Sequence, residues 1–295
     1  MCQDIISNIF SKNMVIEKGL YIVATPIGNL NDITIRAIKI LNSSDTIVCE
    51  DTRVSKKLFF HLGLQKKKNW LIYNDHSSDR DIAKILDELD KEKIISLISD
   101  AGTPLISDPG YKLLRRIRHS RHNIFSLPGP CSAIASLIIS GLKTDKFCFL
   151  GFLPKNKNDY VGTIRDYAKL DYSIVIYEKS KRLSFFLETI KENFTCFKLA
   201  IIKELSKLHE DFFFITEKNI DSFLKAPEKI RGELTIIAEF SNSNEKIYSD
   251  QEIINQLKKL KPSQVSAMLS KSSSQSREIL YKRCMSILNG KFFKK

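Results

Sequence analysis

The chain has 295 residues, 43% of them apolar and 27% charged, with a formal net charge of +13 at pH 7. The apolar share excludes a disordered polymer, and the length exceeds one domain of the commonest size and suits two. Six cysteines at Cys2, Cys49, Cys131, Cys148, Cys196 and Cys284 form no Cys-x-x-Cys pair and no cluster of zinc-ligand spacing, which argues against a disulfide framework or a metal site and for a reducing cytoplasm. The surplus of Lys and Arg suits a polyanionic partner such as nucleic acid.

Residues 1–18 mix charges through short apolar runs, without the continuous hydrophobic stretch of a signal peptide, and read as an N-terminal extension. Leu20–Ala24 is strand-like and stops at Thr25-Pro-Ile-Gly-Asn-Leu-Asn-Asp, after which Ile35, Ile38 and Leu41 mark one face of a helix. The loop is not Gly-x-Gly-x-x-Gly, so no dinucleotide fingerprint is read there. Thr46–Cys49 is the next strand and runs into Glu50-Asp51-Thr52-Arg53; the same charges also suit a helix start, where carboxylates favour the helix dipole. Leu71–Tyr73 leads into Asn74-Asp75-His76, and His76 is either an acid/base or a surface residue.

The organising stretch is Ile94–Gly110. A β-branched apolar run, Ile94–Ile98, reads as a buried parallel strand, and Ser99-Asp-Ala-Gly-Thr-Pro-Leu-Ile-Ser-Asp-Pro-Gly110 follows it, rich in small residues, hydroxyls and two carboxylates. Ile124–Leu127 and Pro128-Gly-Pro-Cys-Ser-Ala133 repeat the pattern. Ligands of open α/β sheets sit outside the carboxyl ends of strands, so such loops after three strands predict one site at one sheet edge.

Around 147–157 the text changes to an extended connection and a basic loop, which puts a boundary between a domain of 19–148 and a smaller mixed α/β domain of 149–240. The remainder, 241–295, is a basic tail holding eleven Lys/Arg against four Asp/Glu, more than half of the net charge. Its helical patterns at 251–260, 263–269 and 277–288 fit either a helix-turn-helix or a helical hairpin.

Taken together, Tyr21-Ile-Val-Ala-Thr-Pro-Ile-Gly-Asn-Leu-Asn-Asp-Ile-Thr34, Glu50-Asp-Thr-Arg53, Ser99–Tyr111, Leu127-Pro-Gly-Pro-Cys131 and Gly151-Phe-Leu-Pro154 resemble the ribosomal RNA small subunit methyltransferase I family of the tetrapyrrole methylase superfamily. The resemblance covers about 20–240 in order. It implies a two-domain α/β fold with the cofactor in the cleft between domains, a homodimer, and S-adenosylmethionine-dependent 2′-O-methylation of a cytidine ribose in the decoding region of 16S rRNA. It further implies that Pro26, Asp100, Ala101, Gly102, Thr103, Pro104, Cys131 and Ser132 hold the cofactor, with Tyr177, Leu205 and Glu233 from the second domain. The chain departs from the pattern at Lys181, where the family has histidine, and at Lys203, where it has arginine; lysine lacks arginine's bidentate fork.

Methylating a 2′-hydroxyl requires its proton to be removed, so a base is expected, and Glu50, Asp51, His76 and Glu204 are the candidates. Arg53, Lys155, Lys157, Lys271, Arg277, Lys282 and Arg283 are the candidate phosphate contacts, and the partner the resemblance implies is 16S rRNA or the small ribosomal subunit. Two other readings use the same loops: a C-methyltransferase of a precorrin-like tetrapyrrole, and a catalytically inactive rRNA-binding assembly factor.

Overall fold

A computed structural model describes residues 15–64, 67–226, 230–240, 248–270, 275 and 277–288. The first sheet contains β1 (Gly19–Val23), β2 (Thr46–Cys49), β3 (Asn69–Ile72), β4 (Ile94–Leu97) and β5 (Ile124–Leu127), in the order β3-β2-β4-β1-β5. All its pairings are parallel, with Leu20 opposite both Ile95 and Ile124. Parallel sheets are covered on both faces, and the apolar residues of each strand divide accordingly. Tyr21, Val23, Ile47 and Cys49 pack with α1 (Ile35–Ser43) and α2 (Thr52–His61). Leu20, Val48, Ile95 and Leu97 pack with α3 (Asp79–Asp90) and α4 (Tyr111–Arg118).

The helices start where the sequence supplies caps. Thr34 Oγ1 accepts from Ala37 N at 3.0 Å before α1, Asp51 accepts from Arg53 N at 2.8 Å before α2, and Ser78 with Asp81 forms a capping box before α3.

The second sheet is mixed: β6 (Phe147–Phe152), β7 (Ser173–Lys179), β8 (Phe197–Lys203), β9 (Asp211–Thr216) and β10 (Glu233–Phe240), ordered β6-β7-β10-β8-β9. Only β6 and β7 run parallel. Residues 147–152 are therefore a strand of this sheet, where the sequence suggests an extended connection. A register shift between Phe149 and Gly151, with Gly151 at φ +61°, accommodates the irregular pattern. One face of the sheet packs on α6 (Lys157–Ala168), α7 (Leu183–Asn193) and α8 (Ile220–Leu224), around Tyr160, Phe186, Ile201 and Ile236.

The other face receives α5 (Ser132–Ile139), the helix that follows the last strand of the first sheet. Its Ala133 and Leu137 sit against Val175, Ala200 and Ile237. The chain thus joins the two sheets by packing a helix from one onto the other, not by a linker alone.

In the tail, α9 (Asp250–Leu257), α10 (Pro262–Leu269) and α11 (Arg277–Leu288) share a small core of Ile253, Val265, Leu269, Leu280, Cys284 and Ile287. The last two helices are thus not a bare hairpin: a third helix shares their core, an arrangement in which a helix-turn-helix pair can sit. No helix among the described residues is long and apolar enough to cross a membrane.

Candidate active site

Three loops of the first domain are laced together at the carboxyl ends of its strands. Thr25 N donates to Gly102 O at 2.8 Å and Gly102 N returns a bond to Thr25 O at 3.1 Å. The bridge needs Gly102 at φ +87°, a conformation natural only to glycine. Thr103 Oγ1 then donates to Pro130 O at 2.8 Å, tying the loop after β4 to the loop after β5. The order of strands brings β2 beside β4, so Glu50 meets the same loop: Asp100 N donates to Glu50 Oε1 and Asp51 N to Asp100 Oδ1, each at 3.3 Å.

Facing these loops, the second sheet offers the end of β7, the end of β8 and the start of β10. Between the two walls lies a cavity of about 340 Å³ lined by Glu50, Asp100, Asp108, Tyr177, Leu205 and Glu233, with Ala101, Ser132, Ile27, Phe152, Glu178 and Ile202 among its further walls. Its volume is within the roughly 300–1,000 Å³ of small-molecule sites. The walls are joined by a 2.6 Å hydrogen bond between the Ser132 and Tyr177 hydroxyls and by the Ser206 hydroxyl donating to Asp32.

The cavity is acidic, and several of its carboxylates are partly buried. Burial pushes the Glu50 carboxyl up to about 7, with Asp108, Asp100 and Asp75 adding repulsion. Burial likewise raises Asp108 to about 6, against the stabilising hydrogen bond from Ser99, and it raises Asp100 as well. Carboxylates tuned toward neutrality within a cleft are the usual mark of an acid/base or cation-binding site.

Of the residues expected to hold a cofactor, Asp100, Ala101, Ser132, Tyr177, Leu205 and Glu233 line the cavity. Gly102 and Thr103 instead spend their polar groups on the loop lacing. Cys131 lines an adjoining recess that shares Ile27 and Leu205 with the cavity; Pro26 and Pro104 line neither and flank residues that form the lacing.

The four candidate bases separate. Glu50 lines the cavity. Asp51 does not: its carboxylate is forked by Arg53 at 2.7–3.1 Å, which holds it down at about 2. His76 is exposed and its backbone N closes a turn onto Asn74 Oδ1 at 3.0 Å. Glu204, with φ +50°, accepts from Glu233 N at 2.7 Å, which keeps its carboxyl low, so it braces the loop at Gly232.

Asp108 and Glu178 are the lining carboxylates that the sequence does not single out as site residues. Asp108 stands in the organising stretch among turn formers and resembles them. Glu178 is 2% exposed and receives the Tyr160 hydroxyl at 2.9 Å, while Arg182 lies 3.7 Å from it and donates to Pro154 O at 2.9 Å. A strand-end carboxylate with such partners anchors Leu153 and Pro154, just beyond β6, at the cavity's edge.

The candidate phosphate contacts divide similarly. Lys155 and Lys157 are exposed, with Lys157 5.8 Å above the Phe185 ring, and Arg277 is exposed on α11. Arg53 is paired with Asp51, Lys282 with Glu278 at 2.8 Å and Arg283 with Asp250 at 2.6 Å. Arg283 thus joins α11 to α9. Lys271 lies outside the described residues.

Residues 19–221 match the family model of Tetrapyrrole (Corrin/Porphyrin) Methylases. The chain is 43% identical over 202 residues to the ribosomal RNA small subunit methyltransferase I of Rickettsia prowazekii (strain Madrid E), covering 67% of this chain and 70% of that protein. It is 31% identical over 276 residues to the protein of the same name from Mesorhizobium japonicum, covering 92% and 93%. The chain belongs to the ribosomal RNA small subunit methyltransferase I family. It is accordingly a methyltransferase, and the matched span 19–221 contains all three laced loops. Among solved structures, cobalt precorrin-4 methyltransferase superposes with a TM-score of 0.55 at 17% identity, over 75% of this chain and 94% of that one. Uroporphyrin-III C-methyltransferase from Thermus thermophilus, complexed with S-adenosyl homocysteine, gives 0.51 at 14%, over 75% and 97%. These two share the fold.

Proposed function

We propose that this chain methylates the ribose 2′-hydroxyl of a cytidine in the decoding region of 16S rRNA, using S-adenosylmethionine, as a cytoplasmic, RNA-binding homodimer. The observation that carries the reading is the cavity of carboxylates of raised proton affinity, formed by the motifs of an rRNA methyltransferase family. The donor set fits the cofactor: Asp100 and Glu233 suit an ammonium or ribose hydroxyls, Ile27, Ile202 and Leu205 give an apolar bed for a purine, and the acidic field favours a sulfonium. When bound, S-adenosylmethionine supplies a methyl group activated by that sulfonium.

The chain's own residues supply the rest. The laced loops and the two interdomain hydrogen bonds fix the walls, which serves a displacement whose rate depends on holding the reactants in line. Glu50 takes the 2′-hydroxyl proton; a carboxyl near 7 accepts protons at physiological pH better than an ordinary glutamate. Asp108 extends the acidic field. Exposed Ile134, Ile138 and Ile139 on the outer side of α5 support a second copy covering that helix.

Labelled S-adenosylmethionine is incubated with small subunits from cells lacking this protein, and the product is mapped by 2′-O-methyl-sensitive primer extension. A single stop at a decoding-region cytidine is expected. Absence of label in RNA, with cofactor bound, refutes the reading and transfers weight to the macrocycle methylase or the inactive assembly factor.

A further inference from the structure

The sequence puts the basic surface in the tail, yet a denser one lies on α4. Leu113 and Ile117 bury one side of this helix in the first domain. At about 100° per residue, Tyr111, Lys112, Arg115, Arg116 and Arg118 fall together on the opposite side, and all five are exposed. Arg121 continues the surface just beyond the helix end. No carboxylate among the described residues pairs with any of these cations. The nearby pair, His122 with Asp90 at 3.0 Å, leaves them untouched.

Position adds meaning to charge. Gly110 caps α4 two residues after Asp108, which lines the cavity, so the outer face starts at Tyr111, three residues from the site, and its first cation, Lys112, follows at four. Tyr111 is 69% exposed at the end nearer the cavity. The helix dipole accounts for a cation or two in the last turn, but it does not account for Lys112 in the first turn or for repulsion between Lys112 and Arg116 at i,i+4. Like charges held side by side without partners are stable when a polyanion covers them.

We propose that the outer face of α4 is the docking surface for the phosphate backbone of the RNA substrate, leading the strand to the cavity, with Tyr111 placed for a base to stack. This rests on the rRNA methyltransferase reading and goes further by naming which surface holds the RNA. Guanidinium groups suit phosphate, and exposed aromatics suit unpaired bases.

The test uses the full chain with Arg115→Gln, Arg116→Gln and Arg118→Gln combined, and filter binding to a 16S rRNA transcript between about 50 and 200 mM salt. Each phosphate contact contributes roughly 0.7–0.9 to the slope of log K against log salt, so the slope falls by about 2 and affinity by at least about tenfold. The triple Arg→Lys variant keeps most of the slope, and calorimetry shows unchanged S-adenosylmethionine binding. An unaltered slope and affinity in the triple Gln variant overturns the proposal. Because binding needs no turnover, the two readings separate: a wild-type chain that methylates no RNA but loses slope on substitution keeps the docking surface and refutes the activity. A Gln variant with normal methylation and normal slope does the opposite.

Discussion

Replacing Glu50 by glutamine removes the carboxyl most perturbed toward neutrality and separates its two effects. In the folded chain it titrates at about 7, against 4.5 ordinarily, so the folded state holds this proton more tightly than the unfolded state. Its contribution to stability is complete below the ordinary value and is lost as pH rises from about 4.5 to about 7. At 1.36 kcal/mol per unit the loss is about 3 kcal/mol at most, and screening of a half-buried group reduces it to roughly 1–2 kcal/mol. Urea unfolding at pH 5 and pH 8 measures it: the wild type loses stability between the two, and Glu50→Gln loses about 1–2 kcal/mol less. Methyl transfer moves in the opposite sense. The wild-type rate climbs with pH and levels above about 7, whereas the variant is slower by about 100-fold or more, the usual worth of a general base, and lacks that limb. A variant within threefold of wild type that retains the limb refutes Glu50 as the base, and equal pH sensitivity of unfolding refutes its raised proton affinity.

Asp100→Ala is expected to weaken S-adenosylmethionine at least about tenfold by calorimetry while shifting unfolding by less than about 1 kcal/mol, since among the described residues its carboxylate accepts only a long 3.3 Å bond from Asp51 N. Gly232→Ala places a Cβ 2.5 Å from Glu204 Oε1 at φ +114°, so denaturant unfolding should report a loss of about 1–3 kcal/mol, together with weaker cofactor binding. Asp250→Asn frees Arg283 from its 2.6 Å pair; limited proteolysis should then cut the three-helix tail sooner, by roughly 1 kcal/mol of local stability, with cleavage of the two-sheet body unchanged.

The segments of the site are legible in the sequence because apolar strands end abruptly in strings of Gly, Pro, Ser and Asp, a composition with few other uses. Which carboxylates meet is not legible. Glu50 reaches Asp100 only because the chain crosses over to put β2 next to β4, and nothing local to Glu50-Asp51 distinguishes the inward carboxylate from the one forked by Arg53. Phe147–Phe152 escapes recognition as a strand because Gly151 breaks its alternation with a register shift. The place of α5 depends on a partner sheet formed later in the chain, and the basic face of α4 is spread over spacings that look like an ordinary amphipathic helix until its buried side is known. In the tail, the helix periods are visible, but the shared core that unites three of them is tertiary.

The cleft also concentrates unfavourable backbone. Among the described residues, five non-glycines take positive φ, and four of them, Leu105, Ser107, Glu204 and Ser206, stand on the two loops that face each other across the cavity and its adjoining recess. Each conformation costs on the order of 1 kcal/mol for a residue with a Cβ. Glycine at Ser107 or Ser206 would relieve it, yet Ser206 would lose its hydroxyl bond to Asp32. Thermostabilised variants selected without regard to activity are therefore expected to accumulate changes at these four positions first, at the expense of turnover: the chain has room to become sturdier where it can least do so and still work.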